Sequence, residues 1–530
     1  MAKRIGSFGA VAVSAILTAA MLSAPAAAQQ KVLRYIPQAN LGTMDPVINT
    51  SSIVHQHSYM IYDNLFAFDS EFRPQPQMVE SWTLSQDGLT YTFKLRDALK
   101  FHDGTPVRAA DAVQSIKRWS ARDVAGRRMV ELGMDLKVVD DKTFTLTMKE
   151  KWGQVLDSLS KLSSSALYVM REKEASVDPT AQITETIGSG PFRFNKELFV
   201  PGSKIVYDRN PDYKPRSEPV SMYAGGRVAK VDRVEWSIIT DTNTATAALN
   251  AGEVDIYETP PLDFLPTLRK NKDIVVRVNN PTGAMGIVRP NHLHPPFNNV
   301  KAREALLHMV DQEDYMRAAV GSDPSNWRVC WAYLVCGTTT ATEAGAESLR
   351  KPDIALAKRL VQESGYKGEP VVVVQPTDQQ IIRDFTEVTI QKLKEIGFNV
   401  DVKAVDWGTM LAIRAKQDPP GQGGWNITHT WSFGLELGNA VTNFSLTSSC
   451  DRKGWPGWVC DEETEKLRDD WARAPDLAAR KVVGEKLQRR ALQVVHFVPL
   501  GQFFQPVAFR SNIKGMIEAA IPVLWNVEKQ

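Results

Sequence analysis

Three kinds of residue cluster in this chain have side chains that could do chemistry. The stretch HDGTPVRAADAVQSIKRW, from His102 to Trp119, opens with a His-Asp pair of the kind that moves protons. Two histidine pairs, His55 with His57 and His292 with His294, each offer two ligands to a metal ion. Gly188 to Phe192, GSGPF, has the glycine content of a phosphate loop. None completes a site. A hydrolase needs a nucleophile and a base held together, and the chain has no G-x-S-x-G, no H-E-x-x-H and no S-x-x-K in a suitable setting. Histidines at i and i+2 reach one ion only from a strand face, and no third ligand accompanies either pair. GSGPF lacks the phosphate-loop lysine, and Pro191 leads it into the strand-like FRFNKE, so it reads as a turn. The expectation is no catalytic residue, no metal and no cofactor.

The elements that would position these residues explain the opening stretch. Phe101 ends a strand, His102-Asp103-Gly104 turns, Thr105 suits an N-cap and Pro106 the first helical position. Ala109, Ala112, Val113, Ile116 and Trp119 then form one apolar helix face, with Asp111 and Lys117 on the solvated side. Upstream and downstream, GLTYTFKL (88–95) and DDKTFTLTM (140–148) alternate as half-exposed antiparallel strands do. HLHPPFNN reads as a loop before a helix.

The later half changes character. PVVVV (370–374) is a continuous apolar run suited to a buried parallel strand. A helix carrying Phe385, Val388, Leu393 and Ile396 follows, Gly397 ends it, and Phe398 to Val405 begin another strand, so the segment is a βαβ unit. A third strand, WNITHTW, opens into SFGLELGNAVTNF. Ligands of open α/β sheets sit beyond the carboxyl ends of the strands. Those ends carry Thr377, Trp407, Trp431 and Phe433, a convergence that points to a binding cleft without catalytic equipment.

Composition sets the setting. Lys3 and Arg4 precede an apolar run to Leu22, and Ala26-Ala27-Ala28 offers an export cleavage site before Gln29. The chain has 63 basic and 61 acidic residues, and Lys3 and Arg4 account for the whole excess. The mature chain is therefore neutral, with no field to attract nucleic acid. About 500 mature residues imply more than one domain. The four cysteines, Cys330 and Cys336, Cys450 and Cys460, are spaced unlike zinc arms. In an oxidising compartment two local disulfides are the best of three pairings.

The string from Pro76 to Trp119 resembles the signature region of the family 5 extracytoplasmic solute-binding proteins, which include the dipeptide-, oligopeptide- and nickel-binding receptors of bacterial ABC importers. Further matches run in order along the chain: IYDNL at Ile61, IGSGPFRF at Ile187, RNPDY at Arg209, AGEVDI at Ala251, PPFNNVKAREALLHMVDQE at Pro295 and IQKLKEIGFNVDVKAVDW at Ile390. The resemblance implies an α/β, two-lobed type II periplasmic-binding-protein clamshell, closest to the dipeptide branch, with an extra subdomain. Residues 1–28 would be the signal peptide, 29–279 plus 501–530 the first lobe with an insertion at about 65–186, and 280–500 the second. The implied protein is a periplasmic monomer that takes a peptide or peptide-like solute between its lobes and docks on membrane permease subunits. A non-peptide ligand (an opine, an aromatic acid, a metal chelate) is the runner-up. An exported enzyme or chaperone on the same fold is the reading from another class.

In peptide-binding members an aspartate follows the tryptophan at the position resembling Trp431 and pairs with the peptide ammonium. Here Ser432, Phe433, Gly434, Leu435 and Glu436 follow, and Glu436 is the nearest carboxylate. The arginine of the dipeptide-binding relative on the loop resembling Gln375 to Gln379 is also missing. The expectation is a cleft that holds its solute by aromatic contact from Trp431 and Phe433 and by neutral hydrogen bonds from Thr428 and Asn443. Gly434, Glu436, Thr377, Trp407, Met285 and Tyr257 complete the candidate lining.

Overall fold

The computed structural model of the protein describes residues 30–49, 51–162, 165–474 and 476–530, and the expected signal segment lies outside them. Among the described residues the chain builds two principal sheets. The first has seven strands in the order Ile274–Val278, Pro506–Arg510, Ile256–Tyr257, Val32–Ile36, Arg233–Ser237, Lys204–Arg209, Phe192–Phe194. The second has six, in the order Trp327–Arg328, Val498–Phe503, Ala284–Pro290, Ile427–Phe433, Val371–Pro376, Val400–Val405. The chain passes from the first sheet to the second through residues 279–283 and returns through 504–505. Side chains stiffen the first passage: Asn279 Nδ2 donates to the Ile517 carbonyl at 2.7 Å and Asn280 Nδ2 to that of Gly283 at 2.9 Å.

The βαβ reading holds. Val371–Pro376 and Val400–Val405 pair in parallel, and the helix Gln380–Ile396 between them ends at Gly397 with φ 103°. That left-handed value costs a glycine no Cβ clash. Val371 to Val374 are buried on both faces, as their unbroken apolar run requires. Both expected disulfides are present, Cys330–Cys336 and Cys450–Cys460.

The early meander forms a separate antiparallel sheet, Val79–Leu84, Thr90–Leu95, Thr143–Thr147, Asp135–Val138, and the helix Ala109–Ser120 packs against it. One continuous cluster of buried apolar side chains runs through this unit (Phe93, Ile116, Trp119, Phe144) into the second sheet (Ile287) and the helices packed on it (Phe385, Trp471). The inserted unit is pinned to the chain's start by the fully buried Arg118, whose guanidinium holds both Asp45 carboxylate oxygens at 3.0 and 2.8 Å.

The helix start was misplaced by sequence reasoning. The helix begins at Ala109, not Pro106, with Arg108 at the N-cap position. Lys100 and Pro106 form a β-bridge and Phe101 N donates to the Thr105 carbonyl at 2.8 Å, so 100–106 is a tight hairpin-like turn. Thr105 spends its hydroxyl on Asp103 at 2.6 Å. Asp111 is not on a solvated side: it is buried, accepting from the backbone N–H of Arg108 at 2.7 Å and of Glu172 at 2.6 Å.

Candidate ligand-binding cleft

The residues first suspected of chemistry are structural. His102 lies against the Gly188 and Gly190 carbonyls, which receive its backbone N–H at 2.8 Å and face its Nε2 at 3.2 Å. Burial pulls its pKa down to about 4. A Cβ on Gly188 would sit 1.8 Å from the Ile61 carbonyl oxygen, so GSGPF is a close backbone crossing. His55 and His57 lie on a buried helix, Ser52–Ile61, not on a strand face. Each has a tyrosine hydroxyl partner, Tyr168 at 3.3 Å and Tyr207 at 2.8 Å, and burial lowers both to about 3. His292 and His294 face the carbonyls of Val495 and Gln417.

A cavity of about 140 Å³, partly open to solvent, lies where the two sheets' units meet. Phe68, Phe72, Asp157, Lys161 and Leu162 line it from the first side, and Thr338 to Thr340, Phe433, Leu435, Glu436, Asn439, Thr442, Trp471 and Arg480 from the second. The strand Ile427–Phe433 delivers Phe433 to its wall and turns at once into the short helix Gly434–Leu437. The turn is tied to the inter-sheet passage, since Gly434 N donates to the Gly283 carbonyl at 2.8 Å. Across the cavity's edge Asn439 Nδ2 donates to Gln154 Oε1 at 3.0 Å, and Arg473 pairs with Glu150 at 3.1 Å. Both contacts join the inserted unit to the second sheet's side of the cleft, through a loop at Asn439 and a helix end at Arg473.

Of the candidate residues, the structure brings Phe433 and Glu436 into this lining. Trp431 stands just behind, edge-on to Phe433 at 5.2 Å and to Phe503 at 6.1 Å. The others lie elsewhere. Thr428 and Met285 are buried within the second sheet, and Tyr257 is buried in the first sheet's core. Asn443 is fully buried, donating to the Tyr333 and Leu437 carbonyls and capping Ser445. Thr377 and Trp407 sit at a separate corner, where Thr377 N donates to the Val405 carbonyl and Trp407 packs on Val374 and Trp425. The three parallel strand ends do share one edge, but only the Ile427–Phe433 end opens into the cavity.

Glu436 was the one carboxylate expected near this cleft, and other charged groups join it from elements the sequence did not point to. Asp157, Lys161, Arg480 and Glu71 line it too, Glu71 already paired with Arg73 at 2.9 Å. Asp157 comes from the short helix Val155–Leu159 of the inserted unit, and Arg480 from the first turn of Leu477–Val494, whose guanidinium lies over Trp471 at 5.2 Å. Lys161 is buried in a pair with Asp123. Burial raises the Asp157 carboxyl above its ordinary range, and Arg480 opposes that rise. These groups escaped sequence reasoning because they do not sit at strand ends. The threonines had a signal: GTTT follows directly on the disulfide-closed turn at Cys330–Cys336.

With this geometry in place, comparison with known proteins is informative. Residues 73–444 match the model of the bacterial extracellular solute-binding proteins, family 5, and the chain belongs to that family. It is 40% identical over 494 residues, 92% of either chain, to the "Probable peptide ABC transporter periplasmic-binding protein y4tO" of Sinorhizobium fredii. Among solved structures it resembles the dipeptide binding protein of Pseudoalteromonas sp. SM9913 in complex with Met-Leu (TM-score 0.78, 19% identity, 94% of this chain and 100% of that one). It also resembles AgaA of A. tumefaciens in complex with agropinic acid (TM-score 0.77, 21% identity, 94% and 99%). The fold is thus that of the type II periplasmic binding proteins, and the family consists of substrate-binding proteins of ABC transporters.

Proposed function

We propose that this protein is a periplasmic receptor that closes on a peptide or peptide-like solute between two lobes and presents it to the permease of an ABC importer. The observation that carries this reading is the cavity lined from both sheet units at the end of Ile427–Phe433. A solute there contacts both sides at once, so it favours the closed form by its extra contacts in that form. The 40% identical relative supports a peptide as cargo.

The lobe boundaries belong to the same reading. The chain changes sheet at 279–283 and 504–505, which supports a first lobe of 29–279 plus the returning C-terminus, with the insertion at about 65–186; residues 501–503, expected in that lobe, belong to the strand Val498–Phe503 of the second sheet, so the second lobe is better drawn as 280–503. Export with cleavage near Ala28 and action as a monomer complete the reading. Native mass spectrometry of gently prepared exported protein tests it. A mature chain beginning near Gln29 and carrying one retained small solute supports it; a chain that retains none, and binds no member of a peptide library, contradicts it.

A further inference from the structure

We propose that Arg480, backed by Trp471, receives a carboxylate of the solute and that Asp157, on the opposite side of the cleft, receives a cationic group, so that the cargo carries both charges. This rests on the cleft being the solute site. Arg480 occupies the first turn of an 18-residue helix, the end at which the helix dipole disfavours a cation. That end is already capped by Asp476, which accepts from Ala479 N at 2.8 Å. Helix stabilisation therefore does not account for an arginine here.

The guanidinium is held without being used. Its Cζ lies over the ring of Trp471, a 3% exposed residue, 5.2 Å from the ring centroid. Its Nε is buried with no acceptor among the described residues, and the nearby Glu150 is taken by Arg473. Stacking on an aromatic ring fixes the plane of the fork and leaves its N–H edge for a planar, bidentate anion such as a carboxylate. Trp471 Nε1 is a second buried donor in the same wall with no acceptor.

Asp157 is the complement. It lines the same cavity from the inserted unit and, among the described residues, accepts from no other residue's side chain. Arg480 is close enough to act on it electrostatically yet makes no ion pair with it. Both side chains are half-buried, and covering either charge unpaired when a solute fills the cleft would cost several kcal/mol. Two unpaired opposite charges set on the two sides of one cleft are matched by a solute that presents an anion to one and a cation to the other, and it would thereby join the two sides. The anchors differ in position from the strand-end aspartate and loop arginine of the peptide-binding relatives, which this chain lacks.

Calorimetric titration of the mature protein with Ala-Phe, N-acetyl-Ala-Phe and Ala-Phe amide tests the assignment. Ala-Phe is expected to bind, with each cap weakening affinity at least tenfold. Arg480→Gln should erase the penalty for the amide and keep that for the acetyl cap; Asp157→Asn should do the reverse; Arg480→Lys should restore part of the acid preference. Equal binding of all three probes, or variants that weaken all three alike, overturns the charge assignment and leaves the receptor reading standing. Failure of all three to bind overturns the assignment as well, and takes the receptor reading with it only if native mass spectrometry finds no retained solute.

Discussion

Gly434 is where the cleft wall touches the passage between the sheets, and replacing it with alanine is a sharp perturbation. A Cβ at this position would lie 2.1 Å from the Thr282 carbonyl oxygen and 2.9 Å from its carbon. Ordinary contact begins more than an ångström further out, and both partners are backbone, so no side chain can rotate away. Overpacking of this kind costs about 1 to 3 kcal/mol, and the shift that relieves it breaks the 2.8 Å bond from Gly434 N to Gly283, at about 1 more. Gly434→Ala should therefore lose roughly 2 to 4 kcal/mol. Gly421→Ala, where nothing lies within 4 Å of the new methyl, is the matched control. Urea unfolding followed by tryptophan fluorescence reads both, and Ala-Phe titration reads the displaced Phe433 wall. If Gly434→Ala is within about 0.5 kcal/mol of the control, the close approach has no energetic consequence and the coupling between wall and passage is wrong.

Other consequences follow from the same structure. Arg118→Met leaves Asp45 charged and buried, and should cost about 3 to 5 kcal/mol, most of it recovered in the Asp45→Asn double variant by the same unfolding measurement. Glu258, buried beside the passage and accepting from Gln38 N at 2.8 Å, is raised by burial from an ordinary 4.5 to about 7. A raised folded pKa means the folded form holds the proton more tightly. Its stabilising contribution is complete below pH 4.5 and is lost as pH rises through 7. Relative to Glu258→Gln, the native protein should lose roughly 3 kcal/mol between pH 4.5 and 8, and parallel pH profiles would contradict the burial argument. Trp431→Ala removes the ring that backs Phe433 and should weaken solute binding by about 1 to 3 kcal/mol, read by titration.

How much of this was legible in the sequence depends on how local the determinant is. The βαβ unit could be read because Val371 to Val374, the helix face and Gly397 follow one another within thirty residues, each carrying its own signal. The disulfides could be read for the same reason. Phe433 and Glu436, at and just after the end of a recognisable strand, do lie in the cavity lining. Asp157 and Arg480 could not be read: each looks like an ordinary helix charge, and they face one cleft from opposite sides only because the inserted unit folds against the second sheet's helices. Asn443 and Thr428, by contrast, lie outside the cavity lining. Polar residues near a cleft are indistinguishable in sequence from polar residues that satisfy buried carbonyls, as Asn443 does for Tyr333 and Leu437. Asp111 shows the same ambiguity, its carboxylate drawn inward by the backbone N–H of Glu172, sixty-one residues away.

The most direct test of a solute held between two lobes is to lock them together. Gln154 and Asn439 bond across the cleft at 3.0 Å, and the four native cysteines are paired, so Gln154→Cys with Asn439→Cys places two new thiols on opposite sides. A short bis-maleimide then joins them. The account predicts that protein cross-linked in the presence of labelled Ala-Phe keeps the label through dialysis, that protein cross-linked empty takes up none, and that the uncross-linked variant exchanges freely. Uptake of the dipeptide by the empty, cross-linked protein at the rate of the open one would place the solute outside this cleft and contradict the account.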